Sequence, residues 1–285
     1  CFKKLLKVNK LRIELVTQLE KNKENKKINI FESLGLKKNP LLLAPLAGVS
    51  DHPFRRMCAG EGADLTYVEM ISAAALVRHN QKTISMLTRH PEEKILGVQI
   101  TAGNSDDMAR GVEILNRHPF ETIDINMGCP VKKVVKVGCG SAALKDPEHA
   151  YQMMLAAKKS SSLPVSVKIR LGWDADTYTY KEISEAAESA GMAWLTVHGR
   201  TRQQSYEHKV DLEKIRQIKN LLSIPVIGNG NILSREEAFH MQDKTGVDGL
   251  MVSRGALGNP WLFRQIKDKS FEVDLGRWLS GVLQH

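Results

Sequence analysis

The chain has 285 residues, 42% of them hydrophobic and 26% charged, with a formal net charge of +9 at pH 7. That is enough for one large α/β domain or two small ones of ordinary soluble composition. No apolar run approaches the ~18 residues of a membrane span, no signal-peptide pattern opens the chain, and Cys1, Cys58, Cys129 and Cys139 lack zinc-type spacing. These features exclude a membrane span and a zinc module and read as reduced thiols in a cytoplasmic protein without a metal.

In chain order, the basic excess comes first: residues 1–38 hold eleven Lys/Arg against four Asp/Glu, and the rest of the chain is nearly balanced. Leu5, Val8, Leu11, Leu15 and Leu19 fall at helical spacing, so an amphipathic helix is expected over 3–20, followed by a Lys/Asn/Glu linker over 21–29. Such an arm is either a nucleic-acid contact or simply a solvated, partly helical tail. The chain opens on Cys1 rather than Met.

From Leu41 a unit of about 30 residues repeats. Short runs rich in Val, Ile and Leu predict strands at Leu41–Leu46, Ala63–Glu69, Ile95–Thr101, Thr122–Met127, Pro164–Arg170, Trp194–His198, Pro225–Gly228 and Gly249–Ser253. Helices are expected between them, at Pro53–Cys58, Ala73–His79, Asp106–Asn116, Pro147–Ser160, Thr179–Ala190, Leu212–Leu221, Arg235–Asp243 and Pro260–Lys267. Ser105, Asp146 and Ser234 are candidate N-caps, and Gly191 is a helix stop. Eight strands alternating with eight helices predict a (β/α)₈ TIM barrel over residues 39–267. An open doubly wound sheet fits less well, because no G-x-G-x-x-G follows the first strand.

The C-terminal strand ends, where a barrel collects its active site, carry Glu69-Met70, Gln99, Asn126 with Cys129, Lys168 with Arg170, His198 with Arg200, Asn229-Gly230-Asn231 and Ser253-Arg254-Gly255. The first end is Pro45-Leu46-Ala47-Gly48. Pro130 cannot continue a strand, so Cys129 sits where strand gives way to loop. It reads either as a displayed thiol or as a small buried residue, and the stretch alone leaves both open. An unperturbed thiol titrates at about 8.5, so a displayed one is a general acid near neutral pH; a spatial Cys–His pair with His198 stays open. The last two turns fit either a phosphate site, with Arg254 adding charge, or ordinary tight turns. Lys168 needs an anionic partner. That partner is the N1–C2=O edge of a reduced flavin, with Gln99 on its imide edge, or a carboxylate such as Glu69 or Asp124; a Schiff-base lysine is a third use.

Taken together, Ala44-Pro45-Leu46-Ala47-Gly48-Val49-Ser50-Asp51, Asn126-Met127-Gly128-Cys129-Pro130 with Lys132-Lys133-Val134, Val167-Lys168-Ile169-Arg170, Thr196-Val197-His198-Gly199-Arg200-Thr201-Arg202, Gly228-Asn229-Gly230-Asn231-Ile232 and Arg254-Gly255-Ala256-Leu257-Gly258-Asn259-Pro260-Trp261 carry a resemblance. The chain resembles the tRNA-dihydrouridine synthases of the bacterial type over about residues 40–267. The resemblance implies an FMN-dependent reduction of the C5=C6 bond of selected tRNA uridines, with NADPH or NADH as electron source. It implies Cys129 as the proton donor to C5, with the base oriented by Asn126. It implies flavin contacts at Pro45, Leu46, Ala47, Gln99, Lys168, Asn229, Gly230, Asn231, Ser253 and Arg254, with His198 touching flavin or base. Lys132, Lys133, Arg200 and Arg202 are expected to hold tRNA phosphates. Leu46 stands where the family more often has Met, Asn231 replaces the usual Asp, and Ser253 the usual Gly. Residues 268–285 are expected to be the truncated start of the family's C-terminal helical tRNA-binding domain. Two other readings share these residues: an FMN barrel oxidoreductase acting on a small pyrimidine or enone, and a non-catalytic RNA-binding protein.

Overall fold

A computed structural model describes residues 30–274 and Gly276. The expected helix over 3–20 and the linker over 21–29 lie outside the described residues, as does most of 268–285. The strands are β1 (Leu41–Leu43), β2 (Thr66–Ser72), β3 (Leu96–Thr101), β4 (Thr122–Met127), β5 (Val165–Arg170), β6 (Leu195–His198), β7 (Val226–Asn229) and β8 (Gly249–Val252). All pair in parallel in the order β1-β8-β7-β6-β5-β4-β3-β2. A parallel bridge between Leu42 and Leu65 closes the sheet on itself. This is the expected (β/α)₈ barrel.

The strands are apolar because both of their faces are covered. One buried cluster fills the space between sheet and helices. A second gathers Leu42, Tyr67, Trp194, Ile227 and Met251 with Phe31 and Leu36, so the segment before β1 plugs the lower end of the barrel. The Phe31 and Trp194 rings lie 5.7 Å apart there. Tyr67 fits because its neighbour on β3 is Gly97: a Cβ at that position would stand 2.5 Å from the tyrosine ring.

The helices are α1 (His52–Gly60), α2 (Ala73–Val77), α3 (Gln81–Ser85), α4 (Ser105–Leu115), α5 (Lys132–Lys136), α6 (Pro147–Ser160), α7 (Tyr180–Ser189), α8 (Leu212–Leu221), α9 (Arg235–Thr245) and α10 (Leu262–Lys267). Asp146 and Ser234 cap α6 and α9 as expected, and Gly191, at φ +79°, follows α7. The cap of α4 is Asn104 rather than Ser105: its extended backbone lets Oδ1 accept the Asp107 N–H at 2.8 Å. β1 stops at Leu43, short of the expected Leu46, because Pro45 brings no N–H to the ladder. β2 begins three residues later than expected, since Ala63 and Asp64 bond back to Cys58 and Leu41. Its register breaks between Val68 and Ile71, so Glu69 and Met70 lie within the strand rather than at its end. The helices α3 and α5 are additions that the sequence pattern did not indicate.

Candidate active site at the barrel mouth

A cavity of about 250 Å³ opens at the C-terminal ends of the strands. Pro45, Leu46, Ala47, Gln99, Asn126, Cys129, Lys168, His198, Asn229, Gly230, Asn231, Ser253 and Arg254 all line it. Seven separate strands or their following loops bring these residues together, which no local pattern in the sequence does. Lys132 and Lys133 are exposed on α5, just outside the lining. Arg202 is half-buried, its guanidinium 4.6 Å from the centre of the Trp173 ring.

Cys129 is half-exposed, whereas Cys58 and Cys139 are buried. Its backbone is held at both ends: the N–H donates to Asn126 Oδ1 at 2.9 Å, and the carbonyl accepts from Ser141 N–H at 3.1 Å and Ser141 Oγ at 2.8 Å. Gly140 makes this approach possible. It sits at φ +60°, and a Cβ there would lie 2.8 Å from the Cys129 carbonyl oxygen.

Beneath the thiol runs a chain of buried polar groups. Asp124, fully buried on β4, accepts from Gln99 Nε2 at 2.7 Å and Ser166 Oγ at 2.6 Å. Gln99 Oε1 in turn accepts from Asn126 Nδ2 at 2.7 Å. Asn126 Oδ1 then accepts from the N–H groups of Gly128 and Cys129. A carboxylate that only accepts stands at one end and peptide donors stand at the other, so both amides are locked in one orientation. Burial pushes the Asp124 carboxyl up to about 6, offset in part by these hydrogen bonds and by the Lys168 charge.

Lys168 lies two residues before the end of β5, and its side chain is only partly covered. Among the described residues it forms no ion pair with Glu69 or Asp124; Glu69 accepts instead from the Gly48 N–H. Burial among protein atoms, then the nearby Arg170, brings its ammonium down to about 8. Arg170 braces two loops, donating to the carbonyls of Gly128 at 2.9 Å and Thr201 at 2.8 Å. Among the described residues no carboxylate lines the cavity, while Lys168, Arg170 and Arg254 do.

Arg200 departs from expectation. It is fully buried, and its guanidinium donates to the carbonyls of Tyr206 and His208 and to Asn231 Oδ1 at 2.9 Å. A side chain so enclosed does not reach a phosphate at the surface; it binds the loop after β6 to the turn after β7. That loop delivers Tyr206, which the sequence reading missed. The ring lines the cavity and lies 3.8 Å from the Arg254 guanidinium. Its only local sign is an aromatic side chain in the polar run Gln203-Gln204-Ser205-Tyr206-Glu207. Val131 and Leu233, exposed apolar residues on the rim, were missed as well.

Comparison with known proteins adds the following. The family model described as "Dihydrouridine synthase (Dus)" matches residues 42–278. The chain is 43% identical over 254 residues to tRNA-dihydrouridine synthase B of Pasteurella multocida, covering 87% of this chain and 76% of the relative. It is 42% identical to the protein of the same name from Shewanella oneidensis, over 87% of this chain and 79% of the relative. Among solved structures, histamine dehydrogenase from Rhizobium sp. 4-9 superposes with a TM-score of 0.59 at 13% identity, over 85% of this chain and 46% of that one. The 6-hydroxypseudooxynicotine amine oxidase of Pseudomonas geniculata N1 superposes at 0.62 and 12% identity, over 79% and 46%. At that identity the two structures show a shared barrel fold and nothing further, and this chain spans less than half of either.

Proposed function

The chain belongs to the dihydrouridine synthase family, and from that premise we propose that it reduces the C5=C6 bond of a uridine in tRNA, using FMN bound in the barrel mouth and NADPH or NADH as electron source. One observation carries the reading. A half-exposed thiol, held through its backbone, opens onto the same cavity as a lysine that forms no ion pair among the described residues.

The lining fits an anionic cofactor, because among the described residues it offers three cations and no carboxylate. FMN, when bound, supplies the two-electron reducing power for the pyrimidine double bond. Lys168 would hold its N1–C2=O edge. Gln99 has one N–H and one acceptor site left over for an imide edge, since Asp124 and Asn126 use the others. The backbone of Pro45, Leu46 and Ala47 would flank the ring. Gly230, Asn231, Ser253 and Arg254, in the turns after β7 and β8, would take the phosphate, with Asn229 and His198 walling the pocket between them.

The uridine must leave its stack to enter the mouth, at a cost of a few kcal/mol. Once there, Cys129 gives its proton to C5. Asn126 orients the Cys129 loop through its Oδ1 and keeps one amide proton for the base. Lys132, Lys133 and Arg202 would hold flanking phosphates, and the basic residues 1–38 would add a further contact. Residues 39–267 form the FMN-binding unit in this reading. Two measurements test it. The purified chain should carry the yellow flavin spectrum, and tRNA from cells lacking the protein should lose dihydrouridine at one or more positions by mass spectrometry. Unchanged tRNA, with the chain's expression in normal cells established, would overturn the proposal.

A further inference from the structure

The side chains around His198 form a hydrogen-bond chain with both ends fixed. At one end is the Met251 carbonyl, which can only accept; Asn229 Nδ2 donates to it at 2.7 Å and lies 3.0 Å from Ser253 Oγ. That contact decides the amide orientation, so Asn229 Oδ1 is the atom facing His198 Nδ1, 2.9 Å away. Nδ1 must therefore carry a proton. At the other end is Arg200, a guanidinium that can only donate, with Nη1 3.3 Å from His198 Nε2. Nε2 must therefore be a bare lone pair. A second proton on the ring would set an N–H against an N–H.

We infer that Arg200 is a positioning residue that, with Asn229, locks His198 as the neutral tautomer protonated on Nδ1. His198 is thereby withdrawn from proton transfer. Of the three groups weighed for the mouth, that leaves Cys129 and Lys168 as candidate proton donors. The inference deepens the proposed function but does not depend on it, since the tautomer exists without flavin or tRNA.

The surroundings act in the same direction. His198 is buried on β6. Burial, then Lys168 and Arg170 on the neighbouring β5 and Arg200 on its own loop, hold it well below the ordinary histidine range; the Asn229 bond works the other way and is outweighed. The Tyr206 ring stands edge-on 6.5 Å away, and no carboxylate is among these neighbours. Asn231 strengthens the effect. It gives Arg200 a neutral acceptor, so among the described residues no salt bridge offsets the Arg200 charge. The same contacts explain why Arg200 is buried rather than displayed to phosphate.

The test is nitrogen NMR of the histidine side chains in the ¹⁵N-labelled full chain, with His198 assigned by its loss in His198→Gln. The expected spectrum shows Nδ1 as the protonated nitrogen and Nε2 as the unprotonated one, unchanged from about pH 8 down to about pH 5. A protonated Nε2, or titration near the ordinary histidine value of about 6.5, would overturn the inference. Arg200→Met removes the donor at Nε2 and should bring His198 back into titration within that range. A folded variant with an unaltered signal would show that Arg200 does not hold the tautomer. Should the variant fail to fold, the wild-type spectrum still decides the assignment. A flavin-free or catalytically silent protein with the expected spectrum would leave the inference intact while removing the proposed function.

Discussion

Single side chains in this mouth matter through the direction of their hydrogen bonds more than through their number. Cys129→Ala should retain the flavin spectrum but lose about 10²- to 10⁴-fold in dihydrouridine formation, the usual worth of a positioned acid. Asp124 sets the direction of the Gln99 and Asn126 amides, and its titration is itself measurable. Its carboxyl is pushed up to about 6 in the folded chain, so the native state holds the proton more tightly than the unfolded one. Stability should therefore fall as pH rises from about 4 to about 6. Asp124→Asn can present its amide oxygen to Gln99 and its amide nitrogen to Ser166. It should abolish that slope, which amounts to about 3 kcal/mol by urea unfolding across the window. Lys168 has the opposite sign of charge. With its ammonium at about 8 before a ligand binds, affinity for an anionic cofactor should be constant below about pH 8 and weaken above it. Lys168→Met should remove that pH dependence in a flavin titration.

Elements are positioned by contacts that cross between them. The loop after β1 is braced by the buried Arg55–Glu93 pair, with Nε to Oε1 at 2.6 Å. Arg55 also donates to the Ser50 carbonyl at 3.0 Å, and Ser50 Oγ accepts the Leu46 N–H at 2.8 Å. Glu93→Ala would leave the guanidinium buried and uncompensated, and should cost about 3–5 kcal/mol in chemical unfolding. Gly97→Ala tests the barrel interior, where its methyl must displace the Tyr67 ring. A loss of about 1–3 kcal/mol is expected from such overpacking. Boundaries between elements were legible where a cap or breaker residue is local, as at Asp146, Ser234 and Gly191. They were less legible at β2, where the ladder partner chooses the start and a bulge alters the register.

Beyond the basic residues 1–38 the chain is nearly neutral, with basic groups at the open end of its barrel. If Lys132 and Lys133 meet tRNA phosphates, alanine at either should weaken binding equally across tRNA sequences. Each should also lower the slope of log affinity against log salt by about 0.9. Among the described residues, no helix is long and apolar enough to cross a membrane. By itself the sequence determined the barrel and most, not all, of the membership of its mouth. Alternating buried strands and helices are written in local hydrophobic pattern, and the chemistry-bearing residues stand within two residues of the C-terminal strand ends, as Gln99, Cys129, Lys168 and Arg254 do. Only the tertiary structure decided what those residues do to one another. It put Asp124 under Gln99, brought Tyr206 back over Arg254, and turned Arg200 inward onto Asn231. Each of these contacts joins strands or loops through register and enclosure, and neither is encoded in the neighbours of a residue along the chain.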